Sequence, residues 1–331
     1  ASRRVRAYEC SLKPKKRSQA TLSGHQRQQR SKSLHPASSN PAALSITMLM
    51  RQASRHARAV AARQSSSASS TTTHFGDRTV PTEEKAGLVK GVFSSVANNY
   101  DLMNDLMSGG MHRLWKDDFV GRLNLPAVAR ATGQAPRCLD VAGGTGDIAF
   151  RMAESLAAWL PPLEEDGAIP LTVSDPNEEM LSVGRERQQQ RGIDASCLQF
   201  EVGDAQSLPY EDETFDVITI SFGLRNVTDI DAALREMRRV LKKGGRFECL
   251  EFSKVEPAPL RALYDAYSKH IIPEIGHRVA DDRASYDYLV ESIRKHPSQL
   301  ELLSQLAMAG FKSPTVRDMT FGVVAVHSGY K

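Results

Sequence analysis

Asp140 and Asp147 bracket a glycine loop, Ala142-Gly143-Gly144-Thr145-Gly146, that follows the apolar run Cys138–Val141. A loop of this kind between a strand and a helix lets a ligand approach the backbone closely, and its N–H groups favour an anion. A phosphate is disfavoured here. Two carboxylates flank the loop, the glycines at 143, 144 and 146 do not follow the G-x-G-x-x-G spacing, and no Lys-Ser/Thr pair follows for a nucleoside triphosphate. A cationic amino-acid ligand fits better: its sulfonium and ammonium groups gain from the carboxylates, and its own carboxylate can use loop N–H groups. That charge pattern is the one S-adenosylmethionine carries. Taken alone, the loop favours such a ligand only modestly over a tight turn whose glycines serve only backbone geometry.

Further acids make the ligand reading the stronger one. Asp175 ends the second apolar run and is placed to bind both ribose hydroxyls; Asp204 follows the third, placed to accept from an adenine amino group while the Ala205 N–H meets the ring. Ser221 ends the fourth. Open α/β sheets bind ligands outside the carboxyl ends of their strands, and these residues recur there in sheet order. The expected cofactor set is Asp140, Gly143, Gly144, Thr145, Gly146, Asp147, Asp175, Asp204, Ala205 and Ser221. No metal is expected: Cys10, Cys138, Cys197 and Cys249 are widely spaced and form no C-x-x-C pair or Cys/His cluster.

Positioning these residues requires alternating strands and helices. Strands are expected at 138–141, 171–174, 198–202, 217–221 and 246–251, with helices near 146–158, 177–190 and 230–241, the last closed by Gly244-Gly245. Ahead of them, Thr82 caps a helix with Glu83 and Glu84 in its first turn, and Trp115, Phe119 and Leu123 recur at core spacing in a second. After them, a helical region from about 259 to 310 is interrupted at Pro273, Gly276 and Pro297, and 316–321 with 323–327 form a closing hairpin. Residues 160–170 lengthen the first crossover as a surface loop. This α/β arrangement resembles the class I S-adenosylmethionine-dependent methyltransferases, which implies a seven-stranded, mostly parallel sheet with an antiparallel C-terminal hairpin.

Two stretches narrow the family. Tyr100-Asp101-Leu102-Met103-Asn104, then Met107-Ser108, His112 and Trp115, resembles the first signature of the ubiquinone/menaquinone biosynthesis C-methyltransferases. Arg239 to Phe247 followed by Leu250-Glu251-Phe252-Ser253 resembles the second, with Lys243 where that family usually has Pro or Val. The resemblance runs from roughly Phe93 to Tyr330. It implies S-adenosylmethionine-dependent methylation of a ring carbon on a polyprenyl benzoquinol, in its reduced form because an oxidised ring is not nucleophilic. It also implies partner proteins of ubiquinone biosynthesis in a multi-subunit complex and peripheral contact with the inner mitochondrial membrane on its matrix side; a homodimer is compatible with it.

Arg225 and Asn226 directly follow the fourth strand, beside the cofactor crevice, and are the first candidates for catalysis. Arginine, with a pKa above about 12, is a poor free base and is assigned to stabilising phenolate charge; Asn226 orients a hydroxyl. Tyr100 and Asp101, in a lid-like segment spanning 82–125, complete the polar rim, with Asp101 as proton acceptor. The plainer account has Asp101 capping a turn and Arg225 pairing with an acid. Tyr264, Tyr267, Ile271 and Ile272 fall in the helical insertion of about 259–310, where an apolar tunnel for the tail and ordinary helix packing explain the pattern equally well. Competing functions are methylation of demethylmenaquinone or a plastid quinone and, from another class, a non-catalytic S-adenosylmethionine-binding scaffold.

Charge is unevenly placed along the 331 residues. Residues 1–73 hold 14 Lys and Arg and a single acid, Glu9, for +13; with a formal net charge of +4 the remainder carries −9. Overall basicity is therefore no argument for nucleic-acid binding, since the rest would repel a phosphate backbone. The tail, rich in Ser, Gln, Arg and Ala, has the composition of an organelle transit peptide, so 1–76 is expected to be disordered and 77–331 to form the methyltransferase domain. Its most import-like part runs from Met48 to Ser70, with Met48 or Met50 a candidate translational start. Composition alone does not separate mitochondrion from plastid. No apolar run approaches the roughly 20 residues that span a bilayer.

Overall fold

The computed structural model describes residues 72–96, 102, 104, 105, 108–159, 169–280 and 282–331. The basic tail, Tyr100, Asp101 and most of the expected 160–170 loop lie outside these. Two short strands, β1 (Thr72–Phe75) and β2 (Arg78–Pro81), pair antiparallel around Gly76, whose φ of +57° suits a residue without Cβ. The strand Thr72–Phe75 thus lies ahead of the domain boundary expected at 77. A Ser/Thr run reads as unstructured, yet Thr72 and Thr73 are β-branched and find partners in Pro81 and Val80.

Helix α1 (Thr82–Val96) sets Glu83 and Glu84 against the positive end of its dipole. Helix α2 (Met111–Leu123) buries His112, Trp115, Lys116, Phe119, Val120 and Leu123, one continuous stripe at three- and four-residue spacing. After α3 (Leu125–Thr132) the alternation begins: β3 (Cys138–Val141), α4 (Asp147–Leu156), β4 (Leu171–Asp175), α5 (Glu178–Arg191), β5 (Leu198–Val202), β6 (Phe215–Ser221), α6 (Ile230–Val240) and β7 (Leu241–Phe252). Four helices follow, α7 (Ala258–His270), α8 (Ile272–Ala280), α9 (Arg283–Lys295) and α10 (Gln299–Met308), before β8 (Lys312–Met319) and β9 (Val324–Tyr330). The sheet order is β5-β4-β3-β6-β7-β9-β8, parallel through β7 and antiparallel where β9 slots between β7 and β8.

Every residue of β3 and β4 is buried, as a sheet covered on both faces requires. One core collects Phe119, Phe150, Met152, Leu156 and Leu181; the other collects Leu234, Met237, Phe247, Leu306 and Phe311. The order reverses between β3 and β6, so the loops leaving their carboxyl ends part to open a crevice.

Three expectations need correction. Helix α6 ends at Val240 with Leu241 already extended, so Gly244 and Gly245 lie within β7 and do not cap the helix. Gly276 does not interrupt a helix but lies within α8, where it admits the Tyr286 ring, 2.4 Å from where a Cβ would stand; the break between α7 and α8 comes just ahead of Pro273, which sits in the first turn of α8, where its missing N–H costs nothing. Finally, Leu302 and Leu306 of α10 join the core of Leu234 and Met237. That helix belongs to a sheet-covering layer, so the insertion expected over 259–310 ends at α9.

Candidate active site

The crevice between β3 and β6 is a cleft of about 360 Å³ roofed by α1 through Ala86, Val89 and Phe93. Asn177 ties roof to floor. Its Oδ1 caps α5 by accepting from Glu179 N and Met180 N, while its Nδ2 donates to Lys90 O and the Ser94 hydroxyl of α1.

The glycines have separate tasks. A Cβ on Gly143 would lie 2.6 Å from Asp140 Oδ2 and 2.9 Å from Val173. Gly146 holds φ at +83° and would drive a Cβ to 2.8 Å from the Phe200 ring. Ala142 and Phe222, the first residues beyond β3 and β6, also hold positive φ, +51° and +56°, a region that costs a non-glycine residue about 1–3 kcal/mol and that tends to occur where a site needs it.

Asp140, Gly143, Gly144, Thr145, Asp147, Asp175, Asp204, Ala205, Ser221 and Asn226 all stand in the cleft wall. Gly146 sits behind it against Phe200. Asp140 is buried; its Oδ1 accepts from Thr219 Oγ1 at 2.7 Å, its Oδ2 has no partner, and burial pushes its pKa up to about 7. The Asp175 carboxylate accepts from Gly144 N at 3.0 Å and Asn177 N at 2.8 Å, yet burial still raises it to about 6. Asp204 is exposed and accepts from Gln206 N at 2.9 Å, with Ala205 buried beside it. Thr145 is buried, its hydroxyl accepting from Arg187 at 3.2 Å. The Ser221 hydroxyl is buried without a partner. Two orphaned oxygens, a glycine cradle and acids held above their ordinary pKa fit a cationic ligand, so the residues present suit S-adenosylmethionine.

Asp147 behaves differently from the expectation that it offers free negative charge. Its Oδ2 accepts from Lys116 Nζ at 2.8 Å and its Oδ1 from Arg151, and these cations hold its pKa below the usual carboxylate range despite burial. Lys116 was absent from the expected set. Its signal was a lysine on the buried stripe of α2, a position that calls for an apolar residue unless the ammonium has a task.

On the acceptor side, Arg225 lies behind the cleft wall, between the wall residues Gly223 and Asn226. Its guanidinium pairs with Glu251 at 3.0 Å, both side chains almost wholly buried, and donates to Phe222 O. Burial raises the Glu251 pKa even so. Asn226 faces the cleft, its Oδ1 accepting from Tyr288 Oη at 3.0 Å, and Tyr288 in turn stacks on Phe75 of the hairpin with centroids 4.2 Å apart. Glu251 was legible only as part of the second signature, and Tyr288 only as lying within the resemblance that runs from Phe93 to Tyr330. Tyr100 and Asp101 fall outside the described residues. His112 and Trp115 are structural: the His112 ring contacts Asp105 Oδ1 at 2.8 Å and the Trp115 indole donates to Thr320 Oγ1 at 2.8 Å.

Residues 78–331 match the ubiE/COQ5 methyltransferase family. The ubiquinone/menaquinone biosynthesis C-methyltransferase of Dinoroseobacter shibae is 51% identical over 260 residues, covering 78% of this chain and 97% of its own. The mitochondrial 2-methoxy-6-polyprenyl-1,4-benzoquinol methylase of Oryza sativa is 47% identical over 269 residues, covering 78% and 88%. Among solved structures, a S-adenosylmethionine-dependent methyltransferase of Thermotoga maritima overlays with a TM-score of 0.48 at 20% identity, over 73% of this chain and 99% of that one.

Proposed function

The chain belongs to the ubiE/COQ5 methyltransferase family, and from that premise we propose that it methylates a ring carbon of 2-methoxy-6-polyprenyl-1,4-benzoquinol in ubiquinone biosynthesis. The observation that carries this reading is the span of the family match, 78–331, which takes in both signatures and every residue of the cofactor cleft. The likeness to the rice mitochondrial methylase supports the ubiquinone ring over the menaquinone one.

When bound, S-adenosylmethionine supplies an electrophilic methyl group on a sulfonium. The acceptor must be reduced, because withdrawing a proton from a ring hydroxyl pushes charge onto the adjacent carbon, which forms the new bond and then loses its own hydrogen. Asn226, its amide fixed by Tyr288, orients the hydroxyl at the cleft wall. Arg225, paired with Glu251 behind the cleft wall, lends positive potential to the oxygen as the proton leaves. Asp101 is assigned from the sequence as proton acceptor, with Tyr100 as a further polar group; both lie outside the described residues.

Helices α7 to α9 cover the acceptor, Tyr264 and Tyr267 half-buried and Ile272 buried, while Ile271 is exposed. Among the described residues no helix is long and apolar enough to cross a membrane. The tail ahead of Thr72 directs import, and the enzyme works at the matrix face of the inner mitochondrial membrane as a peripheral protein, beside other ubiquinone-biosynthesis proteins. Methyl transfer from labelled S-adenosylmethionine to a short-tailed 2-methoxy-6-prenyl-benzoquinone, with and without dithionite, tests the activity. Carbon methylation that depends on the reductant is expected. Product only on a demethylmenaquinol would reassign the ring.

A further inference from the structure

The N–H groups of the three loop glycines are already committed. Gly143 N donates to Ser174 O at 3.3 Å, Gly144 N to Asp175 Oδ2 at 3.0 Å and Gly146 N to Gly143 O at 2.9 Å. The carboxylate of the cofactor, expected from the sequence to rest on loop donors, therefore calls for a counter-charge beyond these glycines. Two ammonium groups stand in the cleft wall, Lys90 and Lys116. Lys90 is exposed, where water and salt screen it. Lys116 has a side chain only 4% exposed and lies 5.9 Å over the Phe222 ring, so its charge acts in a dry corner between the glycine loop and the end of β6.

Asp147 does not use up the donors of that ammonium. Its two oxygens receive both Lys116 and Arg151, so one carboxylate faces two cations, and Arg151 is shared with Asp117 at 2.9 Å. An ammonium has three donors, and the contact with Asp147 accounts for one. The cluster balances, two cations to two carboxylates, and within it Lys116 is the cation that stands in the cleft wall with donors to spare, in a cleft whose other charged groups are mostly acids. We propose that Lys116 is a cofactor-binding residue: its ammonium receives the carboxylate of S-adenosylmethionine at the glycine loop, and Asp147 holds it in place.

Decarboxylated S-adenosylmethionine, which keeps the sulfonium and ammonium but lacks the carboxylate, provides the test. Binding to the full chain is measured by calorimetry for both ligands, with and without the substitution Lys116→Gln. The unsubstituted protein should prefer the carboxylated ligand roughly 10- to 100-fold, the range of a charge-assisted hydrogen bond. Lys116→Gln should lose most of that preference, through weaker binding of S-adenosylmethionine alone, while Lys116→Arg retains part of it. Equal weakening of both ligands by Lys116→Gln would show a purely structural lysine and overturn the proposal. So would indifference of the unsubstituted protein to the carboxylate, a result that does not depend on the variant folding. Neither readout involves a quinol, so the acceptor assignment stands or falls separately.

Discussion

The two ends of the glycine loop carry the same side chain and give it opposite fates. Asp140, at the end of β3, is buried with one oxygen unpaired and a pKa raised to about 7; Asp147, at the start of α4, is pulled below the usual range by Lys116 and Arg151. The first is a charge held in reserve for a cationic ligand, the second a charge spent on placing a lysine. A count of acids around a cleft therefore says little about its field until their partners are known.

Substitutions can break this contrast. The largest effect is expected from Arg225→Ala at a third buried acid, Glu251, which resembles Asp147 in being paired and Asp140 in being raised. Leaving Glu251 buried and unpaired should cost about 3–5 kcal/mol, read by urea unfolding. Loss of activity in that variant therefore speaks to catalysis only if cofactor binding survives. Asp147→Asn leaves Lys116 buried without its anion, and since Asp147 is partly exposed a smaller loss of about 2–3 kcal/mol is expected. Asp140→Asn should do the reverse. It removes an acid that burial disfavours, so stability without ligand should hold or rise at pH 8, while affinity for S-adenosylmethionine falls about 10-fold or more for a lost charge contact.

The pH dependence follows from the direction of each shift. The Asp140 pKa is raised, so its contribution to stability is full below the ordinary carboxylate range and is lost as pH rises through about 7. The Asp147 pKa is lowered, so its contribution is present above that range and lost as pH falls through its depressed value. Because a cationic ligand favours ionised Asp140, cofactor affinity should increase as pH rises through about 7, and Asp140→Asn should flatten the profile. The smallest effect is expected from Thr219→Val, which removes the one hydrogen bond to Asp140 Oδ1 and should move that midpoint upward by about one unit. A midpoint that does not move would mean that Thr219 contributes packing alone.

Much of the scaffold was legible because its signals are local. The apolar runs of β3 to β6, the stripe of Leu234, Met237 and Val240, and the acids at strand ends follow from periods of two and of three to four residues. Boundaries failed where tertiary contacts override a local rule. The hairpin of β1 and β2 holds its turn against α9, Asp77 N donating to Glu291 at 2.9 Å, and Gly276 stays helical because the Tyr286 ring fills its empty side.

Sequence by itself determined the class of sheet, the order of its strand ends, the glycine loop with its flanking acids and the two family signatures, since chain order and side-chain type are what carry them. Tertiary structure alone decided which acid is free, which lysine enters the cleft, that Arg225 leans on Glu251 and that Tyr288 holds Asn226. The physical reason is burial. A charge in water is much the same wherever it occurs, whereas a charge taken out of water takes its pKa, its partner and its use from residues 26 to 79 positions away in the chain.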